Sequence, residues 1–268
     1  MSTSTSGAPE TTAPHAAAHD PQEDGGHDGE DSLHAENKFL AHHFDTPVQQ
    51  FDAAKLGMWA FLGQELLFFS GLFVAYAIYR TWFGEAFAAG SHELNRTMGA
   101  ANTCVLLFSS LTAALGVRSS QLGKKNETTI WIVLTIGCAF AFLVVKYFEY
   151  QAKFHHGLLP GTFFGTPRDM LTFEPLVGAH SPAAELPNHT NVFFSLYFIM
   201  TGLHALHVII GIGIWIWILK RNLRGDFSKR YFTPVDITAL YWHLVDLVWI
   251  YLFPMMYLID YVPPGHRG

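Results

Sequence analysis

Five long apolar stretches, roughly residues 54–80, 97–118, 128–150, 191–220 and 234–261, constrain what this 268-residue chain can fold into. A helix needs about 20 residues to cross a hydrocarbon core, and each stretch supplies that many. Lipid offers no hydrogen-bond partner, so the backbone of a spanning segment must satisfy itself, as a helix does. The alternation of an outer-membrane barrel strand is missing. The fold class expected is therefore an all-α membrane protein, a bundle of five transmembrane helices over residues 51–262, with the stretch 151–190 as a long outer loop.

Charge distribution supports this division. Only 14% of residues are charged, whereas soluble domains carry about 25%. Residues 1–50 hold nine carboxylates and one basic residue, Lys38, so the net charge of −6 describes a tail and not a surface. That tail has too little large apolar side chain to offset its ordering entropy and reads as disordered. It lacks the basic start and apolar run of a signal peptide. Its six histidines, His15, His19, His27, His34, His42 and His43, follow no ligand spacing and read as solvated, with loose metal binding as the alternative. No basic patch suited to nucleic acid is present. Cys104 and Cys138 fall inside apolar runs, where a small core residue is the simplest reading.

Orientation follows from the short loops. Arg118, Lys124 and Lys125 lie between spans two and three; Lys220, Arg221, Arg224, Lys229 and Arg230 lie between spans four and five. Both loops share the N-terminal side, and the positive-inside rule makes it cytoplasmic, with the C-terminus outside a bacterial inner membrane. Broken helices paired across two halves, the mark of many transporters, are not evident. Gly71 with Ala75, Ser109 with Ala113, and Ser110 with Ala114 offer small-residue spacings suited to close helix contact. Trp82, Tyr150, Tyr231 and Tyr261 read as interfacial anchors. Lys146 and Glu149, near the outer end of span three, are expected to reach the interface.

Ionisable residues at membrane depth are costly and default to functional candidates. Glu65 lies ten residues beyond Lys55, about 15 Å into the membrane. His204 and His207 share a face of the fourth span; His243 and Asp246 repeat that spacing on the fifth. All five are expected in one middle layer. A haem or metal held by the histidines, a proton relay through Glu65, and a static hydrogen-bonded network are the three readings. The last pairs Glu65 with a histidine and holds His243 through Asp246 or a backbone carbonyl.

At these residues the sequence resembles a known family. KLGMWAFLGQELLFFSGLF around Glu65 resembles the helix of haem-copper oxidase subunit III that carries a buried, carbodiimide-reactive glutamate. FFSLYFIMTGLHALHVIIG resembles that family's TG-x-H-x-x-HV segment, and YWHLVDLVWIYLF its last helix; NTCVLL and KYFEYQAKF fall at comparable places. The likeness covers about residues 50–262 and is to the short five-helix bacterial form rather than the seven-helix mitochondrial type. It implies a non-redox subunit packed against the catalytic subunit I and copper-carrying subunit II of an oxidase reducing O2 to water with proton translocation. It implies no cofactor or metal in this chain, haems and copper in the partners, and bound phospholipid. Glu65, His204, His207, His243 and Asp246 then form the polar layer that supports proton uptake. Gln64 stands where many relatives carry Ser, and LTAALGVRSS replaces a Trp-Ala-His-His run. A subunit III-like protein of a nitric oxide reductase system, an autonomous proton or solute transporter, and a membrane cytochrome are the alternatives.

Overall fold

The computed structural model describes residues 41, 44–176, 178, 181–228 and 231–259. Most of the acidic tail, including all six of its histidines, lies outside them, as do Lys229, Arg230 and Tyr261. Among the described residues the regular structure is helical, with two isolated bridges and no extended strand. The helices are α1 (Pro47–Trp82), α2 (Gly84–His92), α3 (Arg96–Gln121), α4 (Lys125–His155), α5 (Thr190–Arg224) and α6 (Thr233–Tyr257). All but α2 are long and apolar enough to cross a membrane, which makes the chain a five-span protein.

Local chemistry sets several helix ends. The Asn95 side chain caps α3 by accepting from the Met98 amide at 3.1 Å, supplying one of the partners a first turn lacks. Pro234 opens α6, where its missing N–H costs nothing. Gly225 ends α5 with a φ of 86°, a left-handed cap that side chains disfavour. At the other end His189 adopts a φ of 70°, held by stacking on Phe83 at 4.4 Å between ring centroids.

Helices α3, α4, α5 and α6 close into a ring, each packed on two neighbours. Its interior is filled by Trp215, Trp242, Trp249, Phe142, Phe194 and Tyr197, all fully buried. Gly211 permits the α5–α6 approach, because a Cβ there would lie 2.6 Å from the Trp242 ring. Hydroxyl pairs such as Thr112–Thr135 and Ser119–Thr128 run down the α3–α4 seam. Outward, the helices present Leu111, Val133, Phe148, Ile209 and Tyr251. In water such a surface would aggregate; in lipid it meets its own solvent.

Helix α1 lies beside this ring and touches it through a narrow stripe, Leu62, Phe69 and Tyr76, at seven-residue intervals. Long side chains make the attachment. Lys55 pairs with Asp236 at 3.3 Å, Glu65 reaches His207, and the Tyr76 hydroxyl donates to the Met255 carbonyl. An apolar cleft of about 370 Å³ opens between α1, α5 and α6. Of the small-residue spacings, Ser109 and Ala113 are buried as close contact requires. A Cβ at Gly71 would meet nothing within 4 Å and Ala114 is exposed, because α1 packs through large side chains and Ala114 faces outward.

The loop between α4 and α5 contains a short hairpin over residues 167–176. Arg168 lies between the Phe163 and Phe173 rings at 4.7 and 5.0 Å and donates to the Phe173 carbonyl. Asp169 accepts from the amides of Leu171 and Thr172, both at 2.9 Å.

Candidate functional site

Glu65 projects from α1 into the cleft and meets His207 of α5, Oε2 to Nε2, at 3.0 Å. The other ring nitrogen, Nδ1, lies 2.8 Å from the Leu203 carbonyl one turn earlier. A carbonyl only accepts, so Nδ1 must carry a proton. Either an imidazolium then donates to a carboxylate, or a protonated carboxyl donates to a neutral imidazole. Both states hold one proton between the two groups and are net neutral. Phe69 packs edge-on to the imidazole at 5.2 Å, and the Tyr241 hydroxyl donates to the His207 carbonyl at 3.0 Å. The two side chains retain 14% and 15% exposure, so the pair faces the cleft instead of the bundle interior. Met58, Phe61, Ile210, Ile214 and Ile237 line the rest of that cleft.

The other three candidates stand elsewhere: His204 and Asp246 are buried within the bundle of α3 to α6, and His243 is half-buried where α6 meets α3. The His243 Nδ1 bonds neither Asp246 nor a backbone carbonyl but the Ser110 hydroxyl of α3, at 2.7 Å. Ser110 also lies beside Asp246, but neither carboxyl oxygen makes a hydrogen bond of ordinary geometry. His204 is enclosed by the Phe142 and Trp249 rings, with centroids 5.4 and 5.2 Å away. Those rings occupy the space a macrocycle beside His204 would need. Among the described residues no three His, Cys, Asp or Glu side chains converge as a metal would require.

One expectation is overturned outright. Lys146 and Glu149 do not reach the interface; they are 4% and 3% exposed and form an ion pair at 2.9 Å inside the bundle. The Lys146 ammonium also donates to Tyr257 at 2.8 Å and Tyr197 at 3.4 Å, so its three protons are all engaged. Its charge lies 4.7 Å from the Trp249 ring. Tyr257 donates in turn to the second Glu149 oxygen at 2.5 Å. One turn on, Lys153 is buried as well and donates to the Glu93 carbonyl. The half-buried Tyr150 shares a 2.6 Å hydroxyl bond with Thr201 of α5. The signal was present in α4: Thr135, Ala139, Phe142, Lys146, Glu149 and Lys153 recur every three or four residues, along one stripe.

Two polar centres thus sit in a five-span bundle, with the sequence motifs on three helices. Comparison with known proteins places this arrangement. A family model described as cytochrome c oxidase subunit III matches residues 179–261, which contain His204, His207, His243 and Asp246. The cytochrome c oxidase subunit 3 of Corynebacterium diphtheriae is 32% identical over 207 residues, covering 76% of this chain and 87% of that protein. The chain belongs to the cytochrome c oxidase subunit III family. A probable cytochrome c oxidase subunit 3 from Mycobacterium leprae is 30% identical over 205 residues, covering 76% of this chain and 87% of its own. The quinol oxidase subunit 3 of Bacillus spizizenii is 30% identical over 209 residues, covering 76% and 86%. The resemblance read from the motifs around Glu65, His204 and His243 is borne out. A member of the subunit III family is a component of a multisubunit respiratory oxidase in the membrane.

Proposed function

We propose that this chain is the non-redox subunit III of a respiratory haem-copper oxidase that reduces O2 to water and translocates protons. In that complex it stabilises the catalytic subunit and supports proton uptake. Subunits I and II carry the haems and copper, and the electron donor is set by residues on those subunits. The N-terminus and the basic loops face the cytoplasm, and the C-terminus lies outside.

The observation that carries the uptake role is the Glu65–His207 pair at 3.0 Å. It shares one proton, stays neutral in either arrangement, and faces a cleft instead of the packed interior. A neutral pair avoids the cost of a bare charge at membrane depth while keeping one transferable proton. A proton entering at the Lys55–Asp236 end would find this pair about 15 Å further along α1. The apolar walls of the 370 Å³ cleft suit a phospholipid acyl chain. His204, His243 and Asp246 complete the proposed polar layer from within the bundle.

The test is Glu65→Gln in the tagged native complex. Gln keeps the size and one hydrogen bond to His207 but cannot hold the shared proton. Haem content and subunit stoichiometry should match wild type while proton uptake during turnover slows. Normal uptake at normal assembly would eliminate the proton role. Proton flux through liposomes holding this chain alone, lost in the same variant, would favour an autonomous channel.

A further inference from the structure

We infer that Asn102, His204 and Asp246, grouped about Trp249 inside the α3–α6 ring, bind a small cluster of water. This site is separate from the Glu65–His207 pair, and the inference does not depend on the role proposed for Glu65. Asn102 and His204 are completely buried, and neither the amide atoms of one nor the ring nitrogens of the other meet a protein partner. Asp246 is 2% exposed, and neither carboxyl oxygen makes a hydrogen bond of ordinary geometry. Ser110 lies beside it with its hydroxyl already engaged by His243.

The three residues come from three helices, and contacts of Trp249 and its neighbours set their relative height. The Trp249 indole N–H donates to Thr103, the neighbour of Asn102, at 3.1 Å. Its ring lies 5.2 Å from the His204 imidazole. Asp246 precedes it by three residues and so shares its face of α6. Pairing of Thr103 with Trp249 and of Ser110 with His243 sets α3 antiparallel to α6. Asp246 thus faces α3 between these contacts.

The donor inventory selects the ligand. Asn102 offers two N–H donors and a carbonyl acceptor, a neutral imidazole offers one of each, and Asp246 offers two oxygens. A metal ion would satisfy only the acceptors, and an anion only the donors. The Lys146 ammonium is not free to balance a bound anion, because its three protons are committed to Glu149, Tyr257 and Tyr197. Water donates and accepts and is neutral. Buried waters typically make about three hydrogen bonds to polar groups of this kind. The cluster places exchangeable hydrogen-bonding partners between the His243–Ser110 pair and the Lys146–Glu149–Tyr257 network.

A density map of the intact complex fine enough to show ordered solvent decides the matter on the wild-type protein. Solvent peaks within hydrogen-bond distance of Asn102, His204 and Asp246 are expected. Direct side-chain contacts among these atoms, with no solvent peak, would overturn the inference. Hydroxyl-radical footprinting by pulsed X-rays gives a second readout, since bound water is the radical source. Phe142 and Trp249 should be labelled several-fold more than the equally buried Phe193 and Phe194. In Asn102→Leu that excess should shrink. Equal labelling of all four in the wild type would also refute it.

Discussion

Removing Glu149 while leaving Lys146 tests the most demanding feature of the interior. Lys146 has one countercharge, at 2.9 Å, and two neutral tyrosine oxygens, and it is almost wholly buried. In Glu149→Leu the ammonium keeps the tyrosines and the Trp249 ring but has no anion. Breaking a buried pair from one side costs about 3–5 kcal/mol, in line with the roughly 3 kcal/mol assigned to a lysine at the centre of a membrane helix. The Tyr257 hydroxyl also loses its 2.5 Å acceptor. The double variant Lys146→Met with Glu149→Leu removes both charges, leaving mainly the cost of unpaired tyrosine hydroxyls, about 1–3 kcal/mol. The cycle should thus show the double variant more stable than Glu149→Leu by about 2 kcal/mol or more. The assay is reversible unfolding of the subunit in mixed micelles, across wild type, both single variants and the double. Costs that simply add would mean that the two charges do not act as a pair, and the reasoning would fail.

Three further outcomes follow from the same geometry. Gly211→Ala would place a Cβ 2.6 Å from the Trp242 ring, and overpacking of this kind should destabilise by about 1–3 kcal/mol in the same unfolding assay. Tyr76→Phe removes the hydroxyl that ties α1 to the Met255 carbonyl, so amide exchange near the C-terminal half of α1 should rise while the α3–α6 ring stays protected. In the hairpin between α4 and α5, the amides of Thr172 and Leu171 hold the Asp169 carboxyl below its ordinary range. The folded hairpin therefore binds that proton less readily than the unfolded chain does. Its contribution to loop order is complete above the unfolded pKa of about 4 and is lost as pH falls through the lowered folded value. Amide exchange across residues 167–176 should rise below that range and do so at neutral pH in Asp169→Ala.

Much of this protein was legible in its sequence. Lipid forces the spanning backbone into helices, so five apolar stretches sufficed to establish an all-α bundle. Glu65, His204, His207, His243 and Asp246 could each be assigned a position along a span by residue counting, because rise along a helix is constant. The motifs around Glu65, His207 and His243 also carried the family. What residue counting could not supply was azimuth. In a helix that is apolar all round, no polar face shows which side turns inward. The α4 stripe bearing Lys146 and Glu149 was visible as a spacing of three and four residues, but spacing alone did not show which helices it would face. Only the closing of α3, α4, α5 and α6 into a ring turned that stripe inward and brought Tyr197 and Tyr257 to it. The same packing separated Glu65–His207, which faces the cleft, from His204 and Asp246, which are buried in the bundle. Position along each helix was thus determined by local chemistry, while rotation about the axis and choice of partner were decided by tertiary contacts between distant segments.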